Sequence, residues 1–161
     1  MRPTFAALTV LLLASPAAAT DLVFGFGTTV DSGPGSSESS IIQLELHSDP
    51  IWHLGRADLA LAGAIDLHDN GEYWAGGGLA ALWPMPKRYF IEASVMPGYF
   101  GGNNSQADLG SHFEIRSLLG FGRQINDRLS LSLAVTHKSN AGTANSNPGV
   151  NMIELRTRWR F

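Results

Sequence analysis

The sequence predicts an all-β fold, an eight-stranded antiparallel transmembrane β-barrel. Three observations carry that expectation: a start built like a secretory leader, eight segments that alternate apolar and polar residues, and a final segment that closes on Trp159-Arg160-Phe161.

The chain begins Met1-Arg2-Pro3-Thr4, runs through apolar residues 5–14 and reaches Ala17-Ala18-Ala19. A positive start, a short apolar stretch and small residues at −3 and −1 make a signal peptide, with cleavage expected between Ala19 and Thr20. The apolar run is shorter than the roughly 20 residues a membrane-spanning helix needs. Residues 1–19 are therefore assigned to the leader and 20–161 to a single barrel domain. Losing Arg2 leaves 10 basic against 14 acidic residues, a formal charge of −4, which does not suit a nucleic-acid partner. The chain has no cysteine, so neither a disulfide framework nor a thiolate metal site is available.

The strand segments follow from side-chain parity, because successive residues of a strand point to opposite faces. Segment 21–30 places Leu22, Phe24 and Phe26 on one face. Segment 39–48 sets Ile42, Leu44 and Leu46 against Gln43, Glu45 and His47. In 56–68, Leu59, Leu61, Ile65 and Leu67 oppose Arg56, Asp58 and Asp66. Segment 72–84 is glycine-rich and lies between the turn signals Asp69-Asn70-Gly71 and Pro84-Met85-Pro86. Its Gly76-Gly77-Gly78, like Gly25 and Gly27, fits close packing in a strand; no Lys-Ser/Thr follows to make a phosphate loop. Segment 89–99 pairs Ile91, Val95 and Tyr99 against Glu92 and Ser94. Segment 112–124 pairs Phe113, Ile115, Leu119 and Phe121 against Glu114 and Arg116. Asn126-Asp127 marks the next turn, and 129–139 carries Leu129, Leu131, Leu133 and Val135 opposite Ser130 and Ser132. Segment 151–161 sets Leu155, Trp159 and Phe161 against Glu154, Arg156, Arg158 and Arg160.

Charges of both signs thus collect on one face. Parity alone does not say which face is inside. A periplasmic lipocalin-like barrel would bury the apolar row. An outer-membrane barrel turns that row to lipid, and its narrow lumen holds paired acids and arginines. The even strand count after a leader, the charged row and the aromatic C-terminus favour the membrane arrangement. With both termini in the periplasm, connections 31–38, 101–111 and 140–150 become extracellular, and 84–88 and 126–128 become short periplasmic turns. Connection 69–71 is short for an extracellular loop, and 47–54 reads as a long periplasmic one.

The seventh segment ends in the run His137-Lys138-Ser139-Asn140-Ala141-Gly142. His137 and Ser139 share the parity of the aliphatic row, so they face lipid at the level of the outer leaflet, which is lipopolysaccharide in a Gram-negative outer membrane. Residues i and i+2 of a strand lie about 6.5–7 Å apart along the chain. Their side chains can lean together, which makes His137 a candidate base for a Ser139 nucleophile. The plainer alternative is a polar loop start.

The run His137-x-Ser139-Asn140-Ala141-Gly142, followed by Asn147-Pro148-Gly149 and a strand ending at Phe161, resembles the lipid A 3-O-deacylase family (PagL type). Leu109-Gly110-Ser111-x-Phe113 and Gly120-Phe121-Gly122 are also similar to that family, and the likeness is clearest over about the last fifty residues. The resemblance implies an outer-membrane esterase that removes the 3-position acyl chain of lipid A without metal or cofactor. It implies a Ser–His–acid triad on the outer wall, with the Asn140 amide and the Gly142 backbone N–H as oxyanion donors. The family pattern has Glu two residues after the loop glycine, whereas here the residue two after Gly149 is Asn151. Asn151 shares the face of His137 and can hold an imidazole tautomer, though it cannot stabilise imidazolium by charge. Glu154 has the opposite parity and is the alternative third member if a bulge near 150–153 turns it outward.

His47, His53, His68 and His112 have no metal-ligand spacing with acids and are expected to be interfacial or lumenal. Glu45, Asp66, Glu92 and Glu114 are expected to pair with Arg56, Arg116 and Arg156, because unpaired buried charge is costly. A non-enzymatic outer-membrane barrel and a soluble lipid-binding barrel remain the alternatives in function.

Overall fold

The computed structural model describes residues 21–32, 39–102 and 109–161, so the leader and its cleavage point lie outside the described residues. Eight strands follow one another around a closed barrel: β1 (Asp21–Ser32), β2 (Ser40–Leu54), β3 (Ala57–His68), β4 (Tyr73–Pro84), β5 (Tyr89–Gly101), β6 (Phe113–Gln124), β7 (Leu129–Ser139) and β8 (Val150–Arg160). Each pairs antiparallel with the next, and β8 closes on β1 from Arg160↔Asp21 to Val150↔Ser32. Closure leaves no sheet edge, so the backbone can sit in hydrocarbon with its hydrogen bonds made between strands.

Burial decides between the two barrel types. Leu61, Leu79, Val95, Leu119, Leu133 and Leu155 stand exposed outside, while Glu45, Asp66, Glu114, Arg116, Lys138 and Arg156 are buried inside. Water would oppose both halves of that distribution; a lipid solvent favours it. The soluble, lipocalin-like arrangement is thereby excluded.

The lumen is a continuous plug of ion pairs. Lys138 Nζ lies 2.7 Å from Asp66 Oδ2, and Arg116 bridges Asp66 (3.5 Å) to Glu45 (3.2 Å). Arg156 continues from Glu45 (3.4 Å) to Glu92 (3.2 Å), and Arg158 joins Glu92 (2.8 Å) to Asp21 (3.0 Å). Trp74 fills the remaining space under Arg116 and Lys138, its indole N–H donating to Glu114 O. Gly76 and Gly98 are glycine because any Cβ there would enter that indole.

Three expectations are corrected. Glu114 does not pair with an arginine: both its carboxylate oxygens are buried without a partner among the described residues. Segment 47–54 is not a loop: β2 continues through it to Leu54, with register shifts on either side of Pro50. The turn is only Gly55-Arg56, where Gly55 takes φ +63°. Arg56 is consequently exposed in that turn and takes no part in the lumenal plug. Of the histidines, His47 and His68 are lumenal, bonded to Glu45 and Lys138, whereas His53 is exposed beside Asp58.

The wall assignment makes a direct prediction. Leu133 lies midway along β7 and is 59% exposed outside; Ala134, the next residue, is buried inside. Leu133→Arg is expected to destabilise the assembled barrel by about 2–4 kcal/mol through lipid exposure of the charge. Chemical unfolding from vesicles, followed by tryptophan fluorescence, measures it; an unchanged midpoint would invert the inside–outside assignment.

Candidate active site

His137 and Asn151 are a directly opposed pair across β7 and β8. The imidazole Nδ1 is 2.8 Å from Asn151 Oδ1. A carbonyl oxygen only accepts, so Nδ1 carries the hydrogen and Nε2 is left with its lone pair. Nε2 makes no hydrogen bond among the described residues, and it is the nitrogen a general base uses.

Ser139 follows two residues on, on the same outer face, half-buried. Its backbone pairs with Ile115 of β6, but the β8 ladder has already ended at Lys138↔Val150. Ser139 therefore sits where the strand is leaving the sheet. Its hydroxyl makes no hydrogen bond to Nε2 of His137 or to any other group among the described residues, so the two are brought to one face without the nucleophile–base contact being formed. Below the dyad the wall is aliphatic: Val135, Leu133, Leu119, Ile153 and Leu155 are all exposed. An acyl chain can lie along that wall with its ester at the level of Ser139.

Asn140 turns inward and is fully buried. Its Nδ2 donates to Leu109 O (3.1 Å) and Ser146 O (2.7 Å), and its Oδ1 accepts the Gly142 N–H (3.0 Å). Its own N–H donates to Asn147 Oδ1 at 3.0 Å. Asn140 is thus the hub of the β7–β8 loop, and both donors expected at an oxyanion are bonded internally here. Asn147, to which sequence reasoning gave no role, presents an exposed side chain whose oxygen is already used. Its amide hydrogens are the donors left over; the signal was the Asn147-Pro148-Gly149 run.

Glu154 is not brought to the dyad. It is 1% exposed, inside the barrel, with Oε2 3.7 Å from Arg156. The β7–β8 register runs unbroken from Leu129↔Trp159 to Lys138↔Val150, so no bulge turns it outward. The register shift bordering β8 falls on β1, between Val30 and Ser32. A cavity of about 360 Å³ lined by Asp21, His47, Asp58 and Arg158 opens at the opposite mouth and does not include the dyad.

Gly149 holds the imidazole from behind. It is buried with φ +65°, and a Cβ there would come within 3.0 Å of His137 Cε1 and 3.3 Å of Lys138 O. Gly149→Ala is expected to strain the loop and displace the ring. Any turnover of a short-chain acyl ester that uses this imidazole should fall about 10- to 100-fold in a normally assembled barrel, the usual cost of a small misplacement. A folded Ala variant at the wild-type rate would remove Gly149 from the site.

Residues 41–160 match the family model described as lipid A 3-O-deacylase (PagL). The lipid A deacylase PagL of Bordetella bronchiseptica (strain ATCC BAA-588 / NCTC 13252 / RB50) is 29% identical over 94 residues, covering 56% of this chain and 52% of that one. The chain thus spans about half the length of that curated relative. Among solved structures, the outer membrane enzyme PagL aligns with a TM-score of 0.71 at 19% identity, covering 88% of this chain and 99% of that one. Neisserial surface protein A aligns with a TM-score of 0.59 at 11% identity, covering 88% and 96%. At those identities the two structures share the fold with this chain, and the site rests on its own geometry.

Proposed function

The chain belongs to the lipid A 3-O-deacylase (PagL) family, and from that premise we propose that it is an outer-membrane serine esterase that removes an ester-linked acyl chain, the 3-O chain by family likeness, from the lipid A of lipopolysaccharide. The observation that carries the reading is the His137–Asn151 hydrogen bond of 2.8 Å on the lipid-facing wall, with Ser139 on the same face. A triad on the outside of a barrel acts only on a substrate that reaches it through the bilayer.

In this reading Nε2 of His137 takes the Ser139 proton as Oγ attacks the ester carbonyl. The tetrahedral intermediate collapses to an acyl-Ser139, and His137 returns the proton to the departing sugar hydroxyl. Water, deprotonated by the same imidazole, then frees the fatty acid. Asn151 holds the tautomer throughout. The oxyanion falls to the N–H groups of the Asn140–Gly142 turn, which must exchange Asn147 Oδ1 and Asn140 Oδ1 for the substrate oxygen, with the Asn147 amide beside them.

The test is mass spectrometry of lipid A after incubation of lipopolysaccharide with the refolded barrel in detergent. Loss of one hydroxyacyl chain with recovery of the free acid is expected; intact lipid A beside a folded barrel would leave a non-enzymatic one.

A further inference from the structure

Between the two proposed catalytic residues stands Lys138, whose side chain goes the other way, into the lumen, and is fully buried. Its ammonium lies 2.7 Å from Asp66 Oδ2 and 3.1 Å from His68 Nε2. An ammonium only donates, so His68 Nε2 accepts and its Nδ1–H donates to Ser39 Oγ at 2.8 Å. Asp66 is held in turn by Gln43 Nε2 (3.1 Å) and Arg116 Nε (3.5 Å), and Lys138 lies 5.8 Å above the Trp74 ring. In the ring of eight, β3 is four strands from β7, so Lys138–Asp66 is a strut across the barrel at the level of the dyad.

The strut acts where the sheet stops holding. Lys138↔Val150 is the last β7–β8 pair, and beyond it Ser139 has a backbone partner only on β6. The peptide units on either side of Lys138 are those that aim His137 and Ser139. We propose that Lys138 is a positioning residue for the esterase, fixing through Asp66 the height and rotation of the strand end that presents Ser139 to His137. This rests on the serine-esterase reading above. A lumenal lysine that merely neutralised Asp66 could be removed together with its partner's charge at no cost to turnover.

That difference is the test. The double variant Lys138→Met/Asp66→Asn removes both charges of the strut; Arg116 keeps Glu45, and the lost partner is the ammonium donor to His68 Nε2, which Lys138→Gln can replace with its amide N–H. The single variant Lys138→Gln retains one hydrogen-bonding group for Asp66 and serves if the double variant does not assemble. Assembly is scored by heat-modifiable gel mobility. Two rates are read on assembled protein: acyl release from lipopolysaccharide, and covalent labelling of Ser139 by a fluorophosphonate, which reports the activated hydroxyl without any lipid. The double variant is expected to lose about 10- to 100-fold in kcat with KM within about twofold, and to lose labelling rate by the same factor. Lys138→Gln should fall between it and the wild type. Wild-type labelling in either assembled variant overturns the proposal. A wild-type protein that labels at Ser139 but leaves lipopolysaccharide intact overturns only the lipid A substrate, and the labelling ratio still decides on Lys138. A wild-type protein that does not label overturns the Ser139 assignment and the positioning role with it.

Discussion

Ser139→Ala is expected to abolish acyl release from lipopolysaccharide while the barrel assembles normally. The Ser139 hydroxyl makes no hydrogen bond among the described residues, and the ladder contact to Ile115 is made by backbone, so its loss removes little stability. The loss of rate should be large, at least about 10³-fold, because without the nucleophile only binding and oxyanion donors remain to accelerate attack by water. Heat-modifiable mobility reports assembly, and mass spectrometry of released acid reports rate. A folded Ala variant within about tenfold of wild type would make the nucleophile assignment untenable.

The second large effect is expected at Asn151. Removing its oxygen frees the His137 ring and lets the wrong tautomer form, so Asn151→Ala should lower the rate by about 10²-fold or more with little change in unfolding. Asn151→Glu should match or exceed the wild type, since a carboxylate fixes the same tautomer and also stabilises the imidazolium formed during attack. Glu154→Gln is the counterpart. Arg156 keeps Glu45 and Glu92 at 3.4 and 3.2 Å, so that variant should alter stability modestly and leave the rate alone. An inactive, folded Glu154→Gln beside an unaffected Asn151→Ala would exchange the two roles.

These roles were legible to different degrees. The parity that put His137, Ser139 and Asn151 together on one wall, and Glu154 on the other, needed only alternation along β7 and β8. The reading of 47–54 as a connection misled; it contains Ser48-Asp49-Pro50, residue types that usually end strands. In the barrel β2 absorbs them through register shifts on either side of Pro50 and goes on to Leu54. For Asn140 the sequence offered no view of its side-chain partners: its amide donates to Leu109 O, 31 residues away, and to Ser146 O. Gly149 was marked only as part of the Asn147-Pro148-Gly149 run, with nothing to show its contact with the His137 ring, and Lys138 carried no signal that distinguished it from any strand lysine.

By itself the sequence determined what lies within one strand's reach: the number of strands, the two faces of each, and which candidate residues share a face. A strand's period of two fixes those locally. The tertiary structure decided everything that depends on register and closure. It set His137 opposite Asn151 across a 14-residue separation and Lys138 against Asp66 across the lumen. It tied Arg158 to Asp21 over 137 residues and turned the charged face inward. Those pairings are sums over all eight strands at once, since shifting any one by a residue exchanges its charged and apolar faces. No local pattern contains them.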